Sequence, residues 1–277
     1  HSLTTFDRSA DGKLQQKPGT AGCIRDSAAP AAGCQNATLM NKPNAVAVSP
    51  DGKHVYVTAY DSRTVTVFAR ASDGTLSQLA LPDGCVRTDS PNTAQCSSVH
   101  GMGRPDRIVI SPSGTNVYVA GSDGGNSVVA LDRDPSTGKL AQLTGDAAEP
   151  QEGCISDDGA GSCQDGRALF HVEGLAISAD GRSLYATSRF TDAIAVIDRD
   201  LATGRISQAQ DATGCISETG DSGLCTDGKG LDSGSPFVKS PVVSPDGKNV
   251  YMPASDSDAV VTFARAANGD LTAAEFE

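Results

Sequence analysis

The sequence predicts an all-β protein, a β-propeller of four-stranded antiparallel blades, and three observations predict it. A turn at residues 49–53, SPDGK, returns as SPSGT at 111–115, SADGR at 178–182 and SPDGK at 244–248, at spacings of 62, 67 and 66 residues. Each copy places alternating apolar segments such as HVYVTA and TVTVFAR between Asp-Gly type turns. Such turns supply the positive φ of a tight hairpin, so consecutive strands pair antiparallel. Finally, one such sheet has two apolar faces that it cannot bury alone, and stacking the copies radially both buries them and protects the sheet edges.

Within the unit at 44–79 the elements follow in order. The apolar run at 45–48 is strand A, innermost, and the four copies read AVAV, RIVI, GLAI and SPVV, apolar on both faces as a strand between two blades must be. Pro241 in the last copy suits an inner edge strand that lacks a partner on the channel side. HVYVTA is strand B and TVTVFAR strand C. Asp73-Gly74 then turns the chain into strand D, TLSQL. Tyr56, Tyr118, Tyr185 and Tyr251 share one position in strand B, and Arg8, Arg70, Arg133, Arg199 and Arg265 share one at the end of strand C. Recurrence in every copy assigns these arginines to the sheet rather than to a site.

The N-terminal residues 1–8 align with strand C, and Asp11-Gly12-Lys13-Leu14 supplies the turn into strand D, giving five C–D units but four A–B units. The expectation is therefore one domain over 1–277, with a partial blade at 1–17 and blades at about 44–79, 106–143, 173–209 and 238–274. A five-bladed ring with an incomplete first blade is favoured, with part of a six- or seven-bladed ring as the alternative.

Composition limits the partners. The net charge is −12, with 22 Lys and Arg against 34 Asp and Glu, scattered rather than in blocks, so nucleic acid is excluded as a natural partner. No apolar run is long enough to span a membrane. Trp is absent and aromatic residues make up 4%, so packing rests on Val, Ile, Leu and Ala.

The eight cysteines form four local pairs, Cys23/Cys34, Cys85/Cys96, Cys154/Cys163 and Cys215/Cys225, each in the loop that follows strand D. Neighbour pairing as disulfides is expected. Zinc is the weaker reading, because the pairs lack a short C-x2-C spacing and a repeating His. Disulfides imply an oxidising compartment, hence a secreted or periplasmic protein whose leader has been removed.

The SPDGK, VYVT, VxVFxR and DGxL pattern resembles that of the secreted seven-bladed propellers of the lactonase-like superfamily, and the loops GCISDDGAGSCQDGRAL and GCISETGDSGLCTDGKGL resemble a bacterial subgroup with long repeats. The resemblance implies a propeller and, as a possible activity, lactone hydrolysis.

Residues that break the repeat are the candidates for chemistry. Just before and into strand A the copies read Lys42-Pro-Asn44, Arg104-Pro-Asp106, His171-Val-Glu173 and Phe237-Val-Lys239, and radial stacking brings these positions together at the channel mouth. Two carboxylates, three cations and a histidine suit an anionic or polyhydroxylated ligand, or a hydrolytic site. His171 and Glu173 would be a general base and its orienter, or metal ligands, with Arg104 stabilising an oxyanion and Asp106 beside it. The B–C loops add Tyr60, Asp61 and Arg63, then Asp123 and Asn126, then Arg189, Phe190 and Asp192, then Asp256 and Asp258; Arg189-Phe190 alone offers a cation beside an aromatic ring. The acidic Cys loops, with Asp157, Asp158, Asp165, Glu218, Asp221, Asp227 and Asp232, offer oxygen ligands for calcium, without EF-hand spacing. His54 and His100 fit packing or surface roles. No nucleophile elbow, phosphate loop or zinc-protease helix is present.

The first functional expectation is a ligand-binding or scaffold module acting through its Cys-loop face on a small molecule, carbohydrate or protein, with no required cofactor. The alternative is a lactone hydrolase with its site at the channel mouth.

Overall fold

The computed structural model describes residues 2–88, 95–144, 153–159, 162–232 and 240–273. Its blades follow the repeat. In the first full blade, strand A (Pro43–Val48), B (His54–Ala59), C (Thr64–Arg70) and D (Leu76–Gln78) pair antiparallel in sequence order. The second has strands Pro105–Ile110, Asn116–Gly121, Ser127–Arg133 and Leu140–Gln142. The third has Val172–Ile177, Ser183–Ser188, Ala193–Arg199 and Ile206–Ser207. The fourth has Val242–Val243, Asn249–Ala254, Ala259–Arg265 and Leu271–Ala273. At the N-terminus, Ser2–Thr4 and Phe6–Arg8 form strand C and Leu14–Gln16 strand D, as the alignment of the repeats predicts.

The turn signature has a local cause. Gly52 takes φ 68°, and the Ser49 hydroxyl accepts the His54 amide at 3.0 Å. Ser111, Ser178 and Ser244 do the same for Asn116, Ser183 and Asn249 at 3.0 to 3.1 Å. The serine thus closes the A–B hairpin in each copy.

The Cys loops are more than connections, which corrects the sequence reading. Cys85–Thr88 pairs antiparallel with strand C, taking over where strand D stops, and Ser97–Val99 adds a parallel strand outside it. The same happens at Cys23–Asp26 with Gln35–Ala37, Cys154–Ser156 with Gln164–Asp165, and Cys215–Ser217 with Thr226–Asp227. All four expected disulfides form, Cys23–Cys34, Cys85–Cys96, Cys154–Cys163 and Cys215–Cys225, with Cα–Cα distances of 4.8 to 4.9 Å. That is the ordinary spacing of adjacent strands, so each bridge fastens the two parallel strands at their starts.

The two cysteines of a pair are not equivalent, although the sequence places all eight alike in loops. Cys23, Cys85, Cys154 and Cys215 are the first residues of inner strands, whereas Cys34, Cys96, Cys163 and Cys225 each stand one residue before the outer strand. Cys34 and Cys96 differ in turn: Cys96 is fully buried, while Cys34, in the N-terminal unit, is only half-buried. These segments are too short and polar to announce themselves as strands by alternation.

The core is a series of layers between blades. One layer joins the first and second full blades through Tyr56, Val67, Val119 and Leu131; another joins the second and third through Tyr118, Ala130, Leu184 and Ile197. A third lies between the third and fourth, around Tyr185, Val250 and Phe263. The repeated tyrosines and arginines bolt these layers together. The hydroxyl of Tyr118 donates to the Gly204 carbonyl of the next blade at 2.8 Å and accepts from Arg199 Nε. Tyr56 is bonded likewise to Gly138 and Arg133 (2.9 and 2.8 Å), and Tyr185 to Gly269 and Arg265 (both 2.7 Å). Arg133 also takes Asp51 at 2.8 Å and His54 at 2.8 Å, which gives His54 its packing role. Burial pushes the Tyr56 and Tyr118 hydroxyls up to about 12, so both stay protonated donors.

The layers end at two open faces. Val46 and Val48 of the first strand A are 54% and 53% exposed, and Val242 and Val260 of the fourth blade 61% and 66%. The expectation that strand A is sandwiched on both faces therefore fails in the first blade, because the N-terminal unit has no A–B strands to cover it. Among the described residues no strand ladder joins the fourth blade to the N-terminal strands, so the blades form an open arc rather than a closed ring of five. No helix is long and apolar enough to cross a membrane among the described residues.

Candidate functional site at the channel mouth

Strand A starts with a register shift in the first three full blades. It falls between Pro43 and Ala45, Pro105 and Arg107, and Val172 and Gly174, so Asn44, Asp106 and Glu173 occupy equivalent bulges. A bulge re-aims a side chain, and this one recurs where the strands approach the axis. Lys42 and His171, just before it, hold positive φ of 56° and 64°. Arg104 avoids that strain because Gly103 takes φ 55° instead.

The candidate residues come together across three blades. Asn44 donates to Asp106 at 2.9 Å, and Ser122 donates to the other oxygen of Asp106. The Tyr60 ring carries Lys42 at 4.5 Å and Arg104 at 4.9 Å, and its hydroxyl donates to Asp123 at 2.7 Å. Asp123 is shared: Arg104 lies 3.6 Å from one oxygen and His171 Nε2 2.8 Å from the other. His171 Nδ1 lies 3.2 Å from Glu173, and Arg189 4.0 Å from the same carboxylate oxygen. Phe190 packs edge-on to His171 at 5.1 Å and under Arg189 at 4.8 Å. Lys239, the equivalent of Glu173 in the fourth blade, falls outside the described residues, as does Phe237.

The electrostatics separate the carboxylates. Burial raises the Asp106 carboxyl above its ordinary range, more than its hydrogen bond from Ser122 lowers it. Asp123 is held low, first by the Tyr60 hydroxyl and also by His171 and Arg104. Tyr60 is raised by burial and by its bond to Asp123. Two guanidinium nitrogens, Arg104 Nε and Arg189 Nε, remain buried without an acceptor, and His171 Nδ1, close to Glu173 but not aligned with it, is buried without a hydrogen-bond partner. Unpaired buried polar groups are costly, so three at one mouth mark a place built to receive a polar ligand.

Sequence reasoning named Tyr60 and Asp123 only as loop residues, yet they link the cluster. The available signal was repeat-breaking: Tyr60, Ser122 and Arg189 are equivalent, their amides bonded to the carbonyls of Lys42, Arg104 and His171, and each copy carries a different residue there. The cysteines stand apart from this chemistry. Cys34 and Cys96, like their partners Cys23 and Cys85, are consumed in disulfides that fasten strands, and none of them belongs to the bonded set at the mouth. The acidic Cys loops take on structural bonds as well. Asp157 accepts the Leu169 amide, Glu218 accepts the Leu231 amide, and Asp227 pairs with Lys229. Among the described residues no group of three or more His, Cys, Asp or Glu side chains is arranged to hold a metal ion.

A family model described as a lactonase and seven-bladed β-propeller matches residues 26–156, from the N-terminal unit through the second full blade. The fold is that of a β-propeller. That description accords with the alternative of part of a larger ring rather than with a count of five. The propeller superposes on a structure from Bacteroides uniformis, provisionally described as a 6-phosphogluconolactonase, with TM-score 0.64, 18% identity and coverage of 98% of this chain and 63% of that one. A structure from Bacteroides fragilis with the same provisional description gives TM-score 0.62 at 18% identity, and a protein from Lactobacillus plantarum 0.61 at 19%, with the same coverage of 98% and 63%. The chain thus spans about 63% of the length of these neighbours. No curated protein matches the sequence.

Proposed function

We propose that this propeller hydrolyses a lactone at the channel mouth. The observation that carries this reading is the convergence of the unpartnered Arg104 Nε, Arg189 Nε and His171 Nδ1 atoms at the mouth that also holds Asp106, a carboxyl that burial holds above its ordinary range. The likeness to propellers described as lactonases supports an aldonic acid lactone as substrate class. It favours the hydrolase over the scaffold expected first. Four disulfides suggest an oxidising, extracytoplasmic setting, and secretion is part of the proposal.

In this reading the lactone carbonyl oxygen points at Arg104. Asp106 takes a proton from water as the oxygen attacks the carbonyl carbon, and Arg104 stabilises the oxyanion. The ring C–O bond then breaks and the proton passes to the leaving alkoxide, giving the open hydroxy acid. Asp123 and Tyr60 act as positioning residues by holding Arg104 and His171.

The test is turnover of gluconolactone with and without a 6-phosphate, followed by acid release. Turnover above the spontaneous rate is expected, with kcat in Asp106→Asn lowered about a hundredfold or more. Spontaneous rates alone, or an unchanged kcat in Asp106→Asn, would overturn the proposal.

A further inference from the structure

Beside the mouth, on the Cys-loop side, lies a second cavity of about 350 Å³ between the third blade and its Cys loop. Its wall includes Phe190, Asp192, Ser217, Glu218, Asp221 and Asp232. Among the described residues the lining contains four carboxylates and no Lys or Arg. Carboxylates alone would mean little, since Glu218 already caps the Leu231 amide. One further observation points to a ligand. Ser217 is 3% exposed and lines the cavity with a hydroxyl that has no hydrogen-bond partner, and Thr191, also in the wall, has another. Phe190, 52% exposed, adds an apolar ring to the wall beside these hydroxyls.

We infer that this cavity binds an organic ammonium compound with hydroxyl groups, of the amino sugar class. The four carboxylates are spread around the wall and hold no arrangement for a metal ion, but they match a cation carried on a larger molecule. The Phe190 ring offers its face to a sugar ring or an ammonium group. Ser217 and Thr191 can each give and accept a bond with a ligand hydroxyl. The volume admits one small molecule and no polymer chain of any length. The inference does not depend on the proposed hydrolysis, because none of the carboxylates in this wall belongs to that site.

The experiment is calorimetric titration of the whole chain with glucosamine, glucose and calcium chloride. Glucosamine should bind saturably, at least about tenfold more tightly than glucose, because one ammonium–carboxylate contact separates the two sugars. Asp221→Asn and Asp232→Asn, both on exposed loop positions, should each weaken it about three- to tenfold, and Phe190→Ala should do likewise. Equal binding of glucose and glucosamine, glucosamine affinity unchanged in both Asn variants, competition by millimolar calcium, or no heat with any sugar would each overturn the inference.

Discussion

Replacing Tyr118 by Phe tests whether the repeated tyrosines bolt one blade to the next. Tyr118 is fully buried, and the substitution keeps its ring packing while removing one oxygen. That oxygen serves two partners, the Gly204 carbonyl and Arg199 Nε. A neutral buried bond is worth about 1 kcal/mol and one to a charged donor about 1.5–3 kcal/mol. Arg199 keeps its bonds to Asn116 at 2.7 Å and Gly181 at 3.2 Å, so its charge is not stranded and the lower half of the range applies. The expected cost is about 2–3 kcal/mol. Tyr251 occupies the same position in the fourth blade, where its side chain is 38% exposed and, among the described residues, no glycine or arginine of another blade meets its hydroxyl, so Tyr251→Phe should stay within about 0.5 kcal/mol. Urea unfolding followed by far-ultraviolet circular dichroism measures both, and unchanged slopes license the comparison of midpoints. Equal midpoints for the two variants would refute the inter-blade bolt and leave the tyrosines as simple packing.

Gly101 takes φ 75°, and a Cβ there would sit 2.5 Å from Cys163 Sγ, so Gly101→Ala should cost more than about 1 kcal/mol in the same assay. Thiol titration of the denatured, unreduced protein should find no reactive cysteine among the eight, and reduction should lower the melting temperature. Burial tends to raise the Asp51 carboxyl, but bonds from Ser49 and Arg133 outweigh it and the net shift is downward. Its folded value then lies below its unfolded one, so its stabilisation is complete above about pH 4 and is lost as the pH falls further. The gap in melting temperature between the native protein and Asp51→Asn should therefore be wide at about pH 7 and narrow at about pH 2.5. Asp106 is shifted the other way, so its ionised form works against folding at neutral pH; Asp106→Asn should keep or raise the melting temperature at about pH 7 while removing turnover.

Turn chemistry made the blades legible. Asp-Gly pairs and the Ser-Pro-Asp-Gly motif act through nearest neighbours, so their structural result can be read without knowing what packs where. The disulfides were equally readable, because each closes a loop of 9 to 11 residues inside one repeat. The strands within the Cys loops were not, since CVRT and SSV form strands only because strand C leaves an edge unpaired beside them. For the same reason nothing in the sequence set Cys34 and Cys96, which precede an outer strand, apart from Cys23 and Cys85, which open an inner one. The role of the repeated arginine was half legible. Recurrence marked it as structural, but its partner lies in the preceding blade, and a contact across 77 to 81 residues has no local sign.

The channel mouth was legible for a different reason. Stacking copies around an axis sends equivalent positions to one place, so Lys42, Arg104 and His171 could be grouped before any coordinate was known, and contacts through Tyr60 and Asp123 do join them. The scaffold supplies the same bulge in the first three full blades, and the sequence varies what the bulge carries: Asn44, Asp106, Glu173. Identical backbones with unlike side chains let one blade offer a partly buried carboxyl and its neighbours a lysine and a histidine, a division of labour that an exact repeat could not provide. A swap tests this directly. Asn44→Asp with Asp106→Asn keeps the composition of the mouth and moves the carboxyl by one blade, away from Ser122 and toward Thr58, which already donates to Asn44 at 2.7 Å. If turnover depends on that carboxyl standing beside Arg104, the swapped protein should fold and fail to hydrolyse; activity retained in the swap would mean that the mouth acts as a pool of charge rather than as a placed set of groups.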